Sequence, residues 1–248
     1  MTRDRRTARM EQRAGGFLPL LALLVVLFIL AFLIDEWTAG RVAVDFLFHA
    51  AMVAAVYASV RDRRIVLLVL AASALSLTAV VADEILDVLE VAIPGRVVAA
   101  ALLVVAIATV LARVLRAERV TLNTIYGAIC VYFLLVIFWA VIFILIEDVE
   151  PGSFAGLAGE TDRISDFLYL SMVTQTTLGY GDITPVSGLP RSLAALEAFI
   201  GQVFLVATVA RLVALQVAYS GRAGQVDSDP EAGQAGAASR RTAEQDHD

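Results

Sequence analysis

Apolar and charged positions along this chain separate into blocks. Phe17 to Ile34 carries no charge, and neither do Val66 to Ala82, Val97 to Ala112, Leu122 to Ile146 and Ala198 to Ala210. Val42 to Val60 forms a sixth block, interrupted by Asp45 and His49. A helix needs about 17–25 such residues to cross roughly 30 Å of hydrocarbon. The pattern therefore predicts an all-α membrane protein with six transmembrane helices, over residues 17–34, 42–60, 64–82, 96–115, 123–146 and 190–219. Pro94-Gly95 is expected to end one segment and start the fourth helix. Pro190 is well placed in the first turn of the sixth.

Between the fifth and sixth helices, Glu147 to Pro190 is too polar to span. Its first part, EDVEPGSFAGLAGETD, reads as a surface loop. Asp162 to Thr176 then places Ile164, Phe167, Leu168, Ser171 and Met172 at helical spacing. A helix of about 15 residues reaches only part way across a bilayer. Leu178 to Leu189 returns outward, so the segment is re-entrant.

Composition agrees: 59% of residues are hydrophobic and the mean hydropathy is +0.79. The single cysteine, Cys130, builds no disulfide framework and reads as a core residue. The net charge of −6 matters less than its placement, because every basic residue is Arg. Arg3, Arg5, Arg6, Arg9 and Arg13 precede the first helix. Arg61, Arg63 and Arg64 join the second and third, and Arg113, Arg116 and Arg119 join the fourth and fifth. These alternate loops share one side, which the positive-inside rule makes cytoplasmic. The other loops are acidic, with Asp83, Glu84, Asp87 and Glu90 in one and Glu147, Asp148, Glu150, Glu160, Asp162 and Asp166 in another. Both termini are expected inside a cell (plasma or inner) membrane, with the first helix uncleaved. Residues 220–248 lack large apolar side chains and are expected to be disordered.

The re-entrant segment carries TQTTLGYGD, Thr174 to Asp182. Irregular backbone at membrane depth is tolerated only where protein buries it or it lines a water-filled cavity. An ion leaving water needs replacement oxygens. Backbone carbonyls supply them if successive ones point the same way, which requires positive φ at alternate residues. Glycine accepts this without steric cost, and Gly179 and Gly181 sit two apart. Leu178 and Tyr180 then turn away from the axis and pack behind it, Thr177 offers a carbonyl and a hydroxyl, and Asp182 lies at the outer mouth.

This stretch resembles the selectivity filter of the potassium channel family, whose usual form is Thr-Val-Gly-Tyr-Gly followed by Asp. The resemblance spans about Asn123 to Tyr219 and implies a filter at Thr177, Leu178, Gly179, Tyr180 and Gly181. Leu178 departs from the commoner valine without altering a carbonyl. The resemblance also implies K⁺ held as the permeating ion at Thr177, Leu178, Gly179 and Tyr180. It aims the last turn of the pore helix, near Thr176, at the ion with the partial negative charge of a helix C-terminus. Gly201 matches the family's inner-helix hinge. One filter segment supplies a quarter of a carbonyl ring, which implies a homotetramer. The arginine pattern independently places this loop outside, where such a filter must open.

The domain organisation expected is a basic tail (1–16), a four-helix membrane domain (17–119), a pore domain (120–219) and a cytoplasmic tail (220–248). Arg113, Arg116 and Arg119 recur every third residue, as in a voltage sensor, but lie beyond the uncharged Val97 to Ala112. They read as a positive-inside anchor. Glu197 is an intramembrane acid that can face the cavity, bond behind the filter or lie near the outer interface. His49 reads as a hydrogen-bonded interior residue and Arg211 as the cytoplasmic boundary, with an apolar gate over residues 206–210. An enzyme is not expected, since only His49 and His247 are available and neither Gly-x-Ser-x-Gly nor His-Glu-x-x-His occurs. The function expected is passive K⁺-selective conduction; the alternative is a voltage-gated or weakly selective cation channel. The expected partners are membrane lipid and further copies of the chain, with no nucleic acid, cofactor or soluble ligand domain.

Overall fold

The computed structural model describes residues 16–33, 38–60, 62–86, 89–158 and 163–227. Among them are seven helices: α1 (Leu18–Leu33), α2 (Thr38–Ser59), α3 (Arg63–Leu86), α4 (Leu89–Leu115), α5 (Leu122–Val149), α6 (Arg163–Gln175) and α7 (Gly188–Asp227). A two-residue hairpin pairs β1 (Phe154–Ala155) with β2 (Thr184–Pro185) antiparallel, Phe154 opposite Pro185 and Ala155 opposite Thr184. Five helices, α2 to α5 and α7, are long and apolar enough to cross a membrane. The chain is a mostly helical, multi-pass membrane protein. The sixth apolar segment, α1, has 16 residues, short of the roughly 20 that a typical crossing uses.

Helix α5 is the centre of the packing. It meets α1, α4, α6 and α7. Helices α2, α3 and α4 pack on one another, with α1 against α2. The shared core runs from Leu24, Met52 and Leu103 through Val131, Leu134 and Phe143 to Phe167. Close approach is built in at Gly127, where a methyl group would sit 2.7 Å from both Phe17 and Val114. The start of α1 is pinned to α5 by Phe17 N–H donating to Asn123 Oδ1 at 2.6 Å. Thr121 caps α5, its hydroxyl accepting from Thr124 N at 3.2 Å.

Several ends differ from the sequence expectation. Helix α4 starts at Leu89 and runs through Pro94, so Pro94-Gly95 does not break it. Proline there forgoes one intrahelical hydrogen bond, and α4 continues across it. Gly95 is needed for packing rather than for a break, because a methyl group there would lie 2.7 Å from Ala79 Cβ. Helix α7 extends to Asp227, so the disorder expected from Ser220 is overturned for residues 220–227. Residues 228–248, the basic tail over 1–15, and Asp87, Glu160 and Asp162 lie outside the described residues.

The surface loop expected from Glu147 also begins later. Glu147 and Asp148 belong to the last turn of α5 and are buried. Both have work that keeps them there. Glu147 accepts from Gly152 N at 2.7 Å and Phe154 N at 3.2 Å, folding the chain back into β1. Asp148 pairs with Arg96 of α4.

Candidate functional site

Helix α6 is short because its sequence stops being able to bury itself. Phe167, Leu168, Leu170 and Val173 are buried against α5 and the hairpin, while Thr176 to Asp182 are exposed in the single chain. The helix closes in a tight turn, with Thr177 N–H donating to Thr174 O at 2.9 Å and Gly179 N–H to Val173 O at 3.1 Å. Thr176 turns its hydroxyl back onto Met172 O at 2.6 Å.

The backbone that follows alternates. Thr177, Gly179 and Gly181 have φ of +61°, +56° and +79°, while Leu178 and Tyr180 between them do not enter the positive region. The two glycines sit where sequence reasoning put them. No atom lies within 4 Å of where a methyl group would stand on either, so their requirement is conformational rather than steric. Thr177 is the surprise, because a β-branched residue held at positive φ costs on the order of 1–3 kcal/mol. Sequence reasoning assigned positive φ to glycine alone.

Leu178 and Tyr180 are 56% and 67% exposed, so neither packs behind the strand within one chain. Tyr180 instead stacks on Tyr169 of α6, ring centroids 6.4 Å apart and nearly parallel. The phenol of Tyr169 donates to Asp182 Oδ2 at 2.6 Å, and Ile183 N–H donates to Asp182 Oδ1 at 3.1 Å. That hydrogen bond from Tyr169 is the main cause holding the Asp182 carboxyl below the usual range, and it pushes the Tyr169 phenol up to about 12. The hairpin closes over the same point. Gly156, at φ +87°, has no room for a side chain because a methyl group would strike the carbonyl of Asp182.

Behind the strand lie two polar belts. In the first, Tyr132 OH and Gln202 Nε2 both donate to the Gln175 carbonyl, at 3.2 and 3.3 Å, and Gln175 Nε2 donates to Tyr132 O at 3.0 Å. The carbonyl at the end of α6 is thus bonded to flanking helices. Gly201 lets α7 reach it: a methyl group there would lie 2.5 Å from Gln175 Cγ and 2.9 Å from Gln175 O. Helix α7 runs unbroken through Gly201. In the second belt, Glu197, fully buried, is hydrogen-bonded to Ser171, whose hydroxyl also lies 2.8 Å from Val136 O. Of the three placements open to Glu197, the geometry puts it against α6. Tyr132, Tyr169, Ser171, Gln175 and Gln202 were not singled out from sequence for this role; Ser171 looked like one position on an apolar helix face.

Away from the strand, His49 bonds Asp45 O at 2.8 Å and Ser76 Oγ at 3.0 Å, an interior residue as its isolation indicated. Arg113 donates to Ala58 O and covers the Phe17 ring at 4.9 Å. Arg211 donates to Leu115 O, and to Ala117 O at 3.4 Å. Among the described residues no group of three or more His, Cys, Asp or Glu side chains is placed to hold a metal ion.

Comparison with known proteins places this part of the chain in an ion channel domain. Residues 129–217 match the model of an ion channel family. Protein LctB of Bacillus caldotenax is 30% identical over 106 residues, 41% of this chain and 78% of that protein. Protein LctB of Geobacillus stearothermophilus is 31% identical over 103 residues, 39% and 75% of the two chains. Two pore potassium channel c of Oryza sativa subsp. japonica is 51% identical over 37 residues, 15% of this chain but only 8% of that protein. No solved structure matches the chain. Residues 129–217 carry an ion channel domain, the chain belongs to the family of the LctB proteins, and a potassium channel is among its relatives, in line with the family read from TLGYGD.

Proposed function

We propose that four copies of this chain surround one axis and conduct K⁺ passively and selectively. In this reading the filter runs from Thr177 through Leu178, Gly179 and Tyr180 to Gly181, with Thr176 below it and Asp182 at the outer mouth. The observation that carries it is the alternation of positive φ at Thr177, Gly179 and Gly181. Residues in alternating left- and right-handed conformations turn successive carbonyls to one side, which an ordinary strand cannot do. The strain at Thr177 supports it, because an unfavourable φ persists only where its surroundings impose it.

The tetramer rests on exposed surface. Leu178 and Tyr180 lack cover within one chain, and α7 leaves Phe199, Val203, Val206 and Val209 exposed along its length. Neighbouring copies cover these residues around a common axis. The membrane layout has six crossings, with α1 as the first, both termini cytoplasmic, and α6 entering and leaving from the outer side. Gly201, the hinge candidate, is where a bending α7 rolls against Gln175. Potassium is also in the name of one relative, the rice two pore channel.

The test is reconstitution in a bilayer with K⁺ and Na⁺ gradients, reading reversal potentials. Wild type is expected to follow the K⁺ gradient. Gly179→Ala is the probe, because within one chain its methyl group meets no atom and strains φ. K⁺ preference should disappear in that variant, and unchanged selectivity would overturn the filter assignment.

A further inference from the structure

Glu197 is fully enclosed between α7 and the back of α6, and a single hydroxyl decides its state. Ser171 Oγ is within hydrogen-bonding distance of two oxygens, Val136 O at 2.8 Å and Glu197 Oε1. A serine hydroxyl has one proton to give. The carbonyl of Val136 can only accept, so it takes that proton. Ser171 Oγ must then accept from Glu197, and only a carboxylic acid can donate. An ionised Glu197 would instead leave acceptors competing for one hydrogen. It would also leave a buried charge with Oε2 unpartnered among the described residues, and no cation pairs with Glu197 there. A buried charge without partner or full hydrogen bonding is far costlier than a buried neutral acid. The other titratable group nearby, Tyr132 of α5, has its hydroxyl committed to Gln175 O.

We propose that Glu197 is a neutral acid that donates to Ser171, which donates to Val136, so that one proton relay ties α7, α6 and α5 together behind the strand. Glu197 is a positioning residue: it touches no permeating ion and acts through Ser171 on the helix that aims the filter. The relay sits one helical turn from Gly201 and about one turn from the end of α6. It fixes the depth of α6 against both neighbours, where sub-ångström placement of carbonyls matters. The inference uses the pore reading for its consequence, while the proton itself is measurable without it.

The variants are Glu197→Gln and Glu197→Leu in the full chain, reconstituted. Glutamine keeps an N–H for Ser171 and carries no charge. Its unitary K⁺ current and K⁺/Na⁺ permeability ratio should stay within about twofold of wild type, as expected if no charge near the pore is removed. Leucine keeps the volume but has no donor, and conducting activity should fall several-fold or more. A several-fold change in unitary current with Gln overturns the neutral-acid assignment. The second measurement is independent of any variant. Infrared spectra of wild type, with and without ¹³C-labelled glutamate, should show an isotope-shifted protonated-carboxyl stretch at about pH 8, where exposed carboxylates are ionised. Absence of that band overturns the proposal even if Gln fails to fold. A band present in a protein without K⁺ selectivity leaves the relay standing and removes the pore reading instead.

Discussion

The phenol oxygen of Tyr169 lies 2.6 Å from Asp182 Oδ2. This bond fastens the middle of α6 to the far end of the strand it feeds, and the Tyr169 and Tyr180 rings stack alongside it. The two groups hold each other in opposite ionisation states: Tyr169 must keep its proton and Asp182 must lose its own.

That fixes a pH dependence. Asp182 is depressed, so its contribution is present above the ordinary carboxyl value, about 4, and is lost as pH falls through the lowered value. Tyr169 is raised, so its contribution is present below about 10 and is lost as pH rises through about 12. Between these limits the clasp is complete. Current recorded against external pH should therefore be flat through neutrality and fail only in strong acid. Tyr169→Phe should move the acid midpoint upward, toward an ordinary aspartate. Identical midpoints in wild type and variant would show that the clasp has no role at the mouth.

Gly156 and Gly152 form a natural comparison. Both have strongly positive φ, +87° and +85°, but only at Gly156 would a methyl group meet backbone, the carbonyl of Asp182. Gly152→Ala should cost about 1–2 kcal/mol from φ alone. Gly156→Ala pays the same and must also displace Asp182, so its melting temperature should fall further and its current with it. Equal losses in the two variants would mean that the hairpin does not brace the mouth.

The spanning helices were legible because hydrocarbon imposes one rule, a long apolar run with few charges, and five helices of that kind formed. Their ends were less so. Pro94 reads as a breaker wherever it stands, yet α4 runs across it. Glu147 and Asp148 read as loop because acids usually face water, whereas here a chain reversal and Arg96 supply their partners. The glycine spacing foretold positive φ at 179 and 181. It was silent on Thr177, because the conformation there is imposed by the helix end and not chosen by the residue. Tyr169, Ser171 and Gln175 could not have been found at all, since each matters through a partner on another segment.

The Arg96–Asp148 pair links α4 to α5, with the Asp148 side chain fully enclosed and that of Arg96 only 20% exposed. Removing one member of such a pair strands a charge and costs about 3–5 kcal/mol, whereas replacing both with apolar residues of similar size is close to neutral. Asp148→Leu alone should lower thermal stability in detergent sharply, and Arg96→Met with Asp148→Leu should recover most of it. Additive losses in the double variant would indicate that the two helices are held by other contacts.

Arg211 has a task beyond the boundary role that its sequence position suggests. Its guanidinium donates to Leu115 O in the last residue of α4 and reaches Ala117 O at 3.4 Å. The last carbonyls of a helix lack partners of their own and carry partial negative charge, so an arginine there is favoured twice. The contact ties the inner half of α7 to the segment joining the four preceding helices to α5. Any movement of α7 at Arg211 must break or carry this bond. A half-exposed charged hydrogen bond contributes about 1 kcal/mol after solvent screening, or roughly fivefold in an equilibrium. Arg211→Ala should therefore shift the population away from the conformation described here by about that factor, seen as a changed open probability with the reversal potential unaltered. Arg211→Lys, which keeps a charged donor but on a shorter, more strongly hydrated head, should fall in between. A changed reversal potential, or an unchanged open probability, would place the coupling elsewhere.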